Sequence, residues 1–124
     1  MMGRPTFVAV VDDDESVRES LPDLLGQLGY ATRAFASAEE FLASGSIADT
    51  QCMILDVTLP GISGPELMQA LNLQGRRFPI IFITAQGDKS IRCRLIKLGA
   101  VECLFKPFSD QNLQGALKLA FSKT

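Results

Sequence analysis

Four short apolar runs recur along the chain: Phe7–Val11, Cys52–Leu55, Ile80–Ile83 and Val101–Phe105. They are rich in β-branched residues and do not alternate with polar ones, which predicts strands buried on both faces of a parallel sheet. A fifth run, Ala31–Phe35, alternates more and carries Arg33, as suits an edge strand. The stretches between the runs have helical periodicity. Val17, Leu21, Leu24, Leu25 and Leu28 form one stripe, stopped by Gly29. Pro22 falls within it, where a proline costs about 3 kcal/mol or kinks the helix. Ser37 and Glu40 have capping-box spacing ahead of Phe41 and Leu42. Ser63 and Glu66 repeat that spacing ahead of Leu67, Met68 and Leu71, with Pro65 in the first turn. Ile91, Leu95 and Leu98 mark a fourth helix ended by Gly99, and Leu113, Leu117, Ala120 and Phe121 mark a fifth. Five strands alternating with five helices predict right-handed crossovers and a three-layer α/β sandwich.

The length, 124 residues, fits one compact domain, and a 47% hydrophobic content supplies a core without disulfide staples. Twelve basic against 14 acidic residues leave a formal charge of −2, which gives no bulk reason to expect nucleic-acid or membrane binding. Three cysteines, Cys52, Cys93 and Cys103, without a small disulfide-rich pattern, point to a reducing cytoplasm. No apolar segment is long enough to span a bilayer and no signal peptide is visible. Histidine is absent, which excludes His-dependent triads and His metal ligands; any phosphohistidine must come from another protein.

Ligands of such sheets bind beyond the carboxyl ends of the strands, at the topological switch point. Phe7–Val11 leads into Asp12, Asp13 and Asp14, Cys52–Leu55 into Asp56, Ile80–Ile83 into Thr84 and Val101–Phe105 into Lys106. Two carboxylates about 4 Å apart repel by about 4 kcal/mol at an effective dielectric near 20, so a positive partner is needed. Hard oxygen donors beside one lysine suit Mg²⁺, with Mn²⁺ able to replace it. A metal beside a carboxylate can hold an incoming phosphate in line. Asp56 would then be the nucleophile, Thr84 a hydrogen-bond donor to a phosphoryl oxygen, and Lys106 its counter-charge. Each residue alone has a plainer reading: Asp14 as a helix N-cap, Asp56 as a turn acid, Thr84 as a strand-end hydroxyl. Their joint placement at four strand ends is what carries the chemistry.

The motifs Val-Val-Asp-Asp-Asp at 10–14, Ile-Leu-Asp-Val-Thr-Leu-Pro-Gly-Ile-Ser-Gly at 54–64, Ile-Thr-Ala at 83–85 and Lys-Pro-Phe at 106–108 resemble, in order and spacing, those of response-regulator receiver domains. The resemblance covers nearly the whole chain. It implies a flavodoxin-like (βα)5 fold with sheet order 2-1-3-4-5 and a single receiver domain at 1–124, any output domain lying outside this chain. It further implies phosphorylation of Asp56 by a sensor histidine kinase or phosphotransfer protein. Mg²⁺ would be held by Asp12, Asp13, Asp56 and the backbone carbonyl of Thr58. Thr84 would be the switch hydroxyl, Lys106 the phosphoryl contact, and Lys106–Pro107 a cis peptide. Asp12–Arg18 and Gly87-Asp88 look most like receivers that precede LuxR-type helix-turn-helix domains, so the output is expected to be transcription through a C-terminal DNA-binding domain. The chain departs from the family at Cys103, where many receivers carry the aromatic ring that turns inward on activation, and at Leu59, where Met is common. Thr58 and Gln86 stand where relatives tune dephosphorylation.

Three other readings compete. A phosphatase of the haloacid-dehalogenase type also uses an Asp after an apolar strand, but needs a second Asp where Thr58 stands. A flavodoxin-like small-molecule binder would face three acids that repel phosphate. A phosphorylation-independent interaction module would not require the acids to be intact. On a wheel of Asp88–Leu98, Ile91, Leu95 and Leu98 group on the core side. Cys93 and Ile96 fall opposite, flanked by Lys89, Arg92 and Lys97. That face, extended by strand five near Cys103, is expected to pair in a homodimer of the phosphorylated form.

Overall fold

A computed structural model of the protein describes residues 5–85 and 89–122, with Lys89 represented by its backbone alone. The strands are β1 (Phe7–Val11), β2 (Ala31–Phe35), β3 (Cys52–Asp56), β4 (Ile80–Thr84) and β5 (Glu102–Phe105). The helices are α1 (Glu15–Gln27), α2 (Ala38–Ala43), α3 (Gly64–Leu73), α4 (Lys89–Lys97) and α5 (Asp110–Ser122), with a 3-10 turn at Ile47–Asp49. The strands form one parallel sheet of order β2-β1-β3-β4-β5, the order expected.

Period-two geometry divides the core between the two faces of the sheet. Val8, Val10, Cys52, Ile54, Ile81 and Ile83 pack with Leu21 and Leu25 of α1 and Leu113 and Leu117 of α5. Ala9, Val11, Met53, Leu55, Phe82 and Cys103 pack with Phe41 of α2, Leu67 and Leu71 of α3 and Leu95 of α4. Both faces of the central strands are covered, which is why their sequences read as unbroken apolar runs. The edge strand β2 leaves Arg33 exposed.

Local signals set the helix starts. Asp14 caps α1 by accepting from the Ser16 amide at 3.0 Å. Ser37 caps α2 through the Glu40 amide at 3.0 Å. Ser63 and Glu66 complete a reciprocal capping box on α3. Helix α1 runs through Pro22, which forfeits the bond its amide would make to the Arg18 carbonyl.

The fourth helix corrects one expectation. Leu95 is buried and Ile91 packs against the core, but Leu98 is exposed. The helix ends at Lys97, and the chain turns at Gly99 with φ 117°. Leu98 therefore leaves the helical stripe, and Ala100 reaches the core in its place.

Candidate functional site

The sheet register brings the strand ends into line. Val11 pairs with Leu55, Asp56 with Ile83 and Thr84 with Phe105. Asp12, Asp56, Thr84 and Lys106 thus meet at one edge of the sheet, as the sequence predicts. Backbone bonds hold these ends: the Asp12 amide donates to the Phe35 carbonyl at 3.0 Å, that of Val57 to Ile83 at 3.0 Å and that of Lys106 to Thr84 at 2.8 Å.

Asp12 is fully buried, Asp56 is 6% exposed and Thr84 1%, while Asp13 stands exposed at the mouth. Asp12, Asp13 and Asp56 each offer a carboxylate oxygen within 4.8 Å of the others. Lys106 places its Nζ 2.8 Å from Oδ2 of Asp12 and 3.6 Å from Oδ2 of Asp56. Oδ1 of Asp12 accepts the Asp14 amide at 2.9 Å, but among the described residues its buried Oδ2 has no hydrogen bond and only the Lys106 ion pair. Oδ1 of Asp56 accepts the Thr58 amide at 3.1 Å.

The charges act on one another. Burial, then the neighbouring Asp12 carboxylate, pushes the Asp56 carboxyl up to about 6. At Lys106, burial works against the ammonium, but its close pairing with Asp12, followed by the charge of Asp56, prevails and raises its pKa. One ammonium among three carboxylates leaves the pocket short of positive charge. A hard dication fits this donor set, and the orphaned Oδ2 of Asp12 is the atom such an ion would satisfy.

Supporting contacts that sequence reasoning did not find complete the site. Arg18 donates from Nη1 to the Asp12 carbonyl at 3.1 Å, pinning the turn between β1 and α1. Gly64 packs on the backbone of Asp56 so closely that a Cβ would collide with the Asp56 carbonyl oxygen. Its amide donates to the Val57 carbonyl at 3.1 Å. A glycine opening the third helix was the one signal for this contact. The Lys106–Pro107 peptide is cis, as expected.

The predicted switch surface is divided. Cys93 is exposed and Ile96 is 37% exposed, so both remain on the surface. Cys103 is not on it: only 2% exposed, it faces the core beneath α4, because alternate residues of β5 point inward there. Arg92 is not a free rim cation either. It forks onto Glu102, with Nε–Oε1 at 2.8 Å and Nη2–Oε2 at 3.1 Å, tying α4 to β5. Gln86, Gly87, Asp88 and the Lys89 side chain lie outside the described residues.

An α/β sheet with an acid pocket, one lysine and one hydroxyl at its switch point defines the class of doubly wound domains built to receive a phosphoryl group. Comparison with known proteins gives the particular family: a model of the response regulator receiver domain matches residues 8–118, and the chain belongs to that family. It is 40% identical over 117 residues to the transcriptional regulatory protein FixJ of Azorhizobium caulinodans, covering 94% of this chain and 56% of FixJ. It is 45% identical over 114 residues to nodulation protein W of Bradyrhizobium diazoefficiens, covering 92% of this chain and 50% of that protein. The chain therefore spans about half the length of these curated relatives. Among solved structures, the response regulator StyR superposes with a TM-score of 0.86 at 40% identity, covering 96% of this chain and 60% of that one. FixJ-N superposes with a TM-score of 0.84 at 34% identity, covering 98% of each chain. Receiver domains are the phosphoacceptor modules of two-component signalling, with an acidic pocket for Mg²⁺. Among the described residues, no helix is long and apolar enough to cross a membrane.

Proposed function

We propose that the chain works as a cytoplasmic receiver that takes a phosphoryl group onto Asp56 and passes the signal to a transcriptional output. The observation that carries this reading is the buried carboxylate of Asp56 beside Asp12, Asp13 and Lys106 at the carboxyl edge of the sheet. Asp12, Asp13, Asp56 and the Thr58 carbonyl would hold Mg²⁺. The ion, when bound, neutralises phosphate charge and orients the donor. An Asp56 oxygen attacks the phosphorus of the donor, and the bond to the donor's leaving group breaks as the new O–P bond forms. Lys106 balances charge on the phosphoryl oxygens. Thr84, at the end of β4, would donate to them and so draw β4 and α4 toward the new charge.

The donor is a phosphohistidine on a sensor kinase or phosphotransfer protein. A groove of about 790 Å³ between α1 and the β5–α5 turn, lined by Asp14, Leu21, Leu24, Lys106 and Phe108, opens beside the site and offers it a seat. FixJ is described as a transcriptional regulatory protein, and its further length supports a DNA-binding output domain joined to a receiver of this kind. The exposed Cys93 and Ile96 on α4 are assigned to a homodimer contact in the phosphorylated form. The test is intact mass after acetyl phosphate and Mg²⁺. One hydroxylamine-labile phosphoryl group is expected, lost in Asp56→Asn. Equal labelling of that variant would overturn the assignment.

A further inference from the structure

Val57–Ser63 link Asp56 to α3. Near the sheet the segment is held by its own strand: the Thr58 amide donates to Oδ1 of Asp56 at 3.1 Å, and Leu59 is buried. At the far end the capping box fixes Ser63. The middle is held from another element. Oε2 of Glu39, on α2, accepts the Ile62 amide at 3.1 Å across 23 residues of sequence. The same carboxylate lies over Gly61, whose φ is 72° and where a Cβ would run into it. Gly61 thus serves both the left-handed turn and the close approach of the carboxylate.

Helix α2 is a firm base for this contact. Ala38 and Phe41 are fully buried, and the Phe41 ring stands edge-on to Phe35 at 5.3 Å. Glu39 itself is exposed, and its bond to Ile62 is not needed to anchor α2. What the bond restrains is the loop. The peptide planes between Thr58 and Ile62, including the Thr58 carbonyl, are thus tied by a hydrogen bond at each end.

We propose that Glu39 is a positioning residue for phosphoryl transfer: its carboxylate straps the β3–α3 loop at Gly61 and Ile62 and so sets the backbone that the metal and the phosphoryl group meet beside Asp56. The inference rests on the functional reading above and adds a residue that touches neither metal nor phosphate. In-line transfer is sensitive to small misplacement of the groups that hold the donor.

The test uses the full chain with Glu39→Ala and Glu39→Gln. Gln keeps an acceptor for Ile62 and removes the charge; Ala removes both. Three quantities are read: the rate of acetyl phosphate labelling, Mg²⁺ affinity by calorimetry, and amide hydrogen exchange at Ile62. Glu39→Ala should label about three- to tenfold more slowly, bind Mg²⁺ more weakly and exchange Ile62 faster, on the scale of one lost charge-assisted bond. Glu39→Gln should stay within about twofold of the unaltered chain, because most of the restraint is the bond itself. Unchanged exchange and Mg²⁺ affinity in Glu39→Ala would overturn the strap. So would equal slowing by Ala and Gln, which would assign the effect to charge. If the unaltered chain takes no label at Asp56, the functional reading fails, while exchange and calorimetry still decide the role of Glu39.

Discussion

Asp56 is held in a place that disfavours its charge, so removing that charge should stabilise the metal-free fold. A carboxyl pushed up to about 6 in the folded state, against an ordinary value of about 3.9, corresponds at most to about 3 kcal/mol of destabilisation when ionised. Asp56 is only 6% exposed, but it shares this penalty with Asp12 and Lys106, so the part recovered on losing its charge is about 1–3 kcal/mol. Asn keeps an oxygen for the Thr58 amide and gives up only the longer 3.6 Å pairing with Lys106, which keeps Asp12 at 2.8 Å. The sign follows from the raised folded-state value. Below pH 4 both folded and unfolded chains carry a protonated Asp56, and Asp56→Asn should match the unaltered chain. Between about pH 4 and 6 the unfolded chain releases its proton first, and the unaltered chain loses stability relative to the variant. Above pH 6 the gap is complete. Thermal melts in EDTA at a series of pH values read it directly, as a higher midpoint for Asp56→Asn by about 4 °C or more at neutral pH. Saturating Mg²⁺ should narrow the gap, because ligand binding stabilises the unaltered chain more. A variant less stable than the parent in EDTA at pH 7, or a gap that does not vary with pH, would refute the electrostatic argument.

Other predictions follow from the same geometry. Asp13→Ala should weaken Mg²⁺ binding by about tenfold or more in calorimetry while the fold persists, since Asp13 is exposed and its loss relieves repulsion; unchanged affinity would place the metal elsewhere. Ile96→Glu should leave acetyl phosphate labelling intact and abolish association of the phosphorylated form in light scattering, and normal association would remove α4 from the contact. Iodoacetamide should alkylate native protein once, at exposed Cys93. Burial shields Cys52 and Cys103 and pushes their thiols up to about 12 and about 11; early labelling of Cys103 by peptide mass would show that α4 lifts from β5.

Much of the domain was legible because its signals are local or periodic. Strands buried on both faces read as apolar runs, and β1 and β2 begin and end where their patterns do. The caps at Asp14, Ser37 and Ser63 depend on residues two or three positions away, so their spacing announces them. The acids, Thr84 and Lys106 were found because strand ends are countable along a sequence. The failures share a different cause. Leu98 fits the helical stripe of α4, but only the turn at Gly99 decides that the stripe stops before it. Cys103 lies in a strand whose inward face is set by what packs on it, and α4 does so. Arg92 reads only as a flank of the outer face of α4, and its fork onto Glu102 forms once β5 lies beside that helix. Glu39 and Ile62 lie 23 residues apart in elements that touch only after the sheet has assembled. Periodicity and spacing thus determine which elements form and which chemistry stands at their ends. Which side chains meet across elements is decided by packing, because no local pattern encodes a contact between two segments that the chain has yet to bring together.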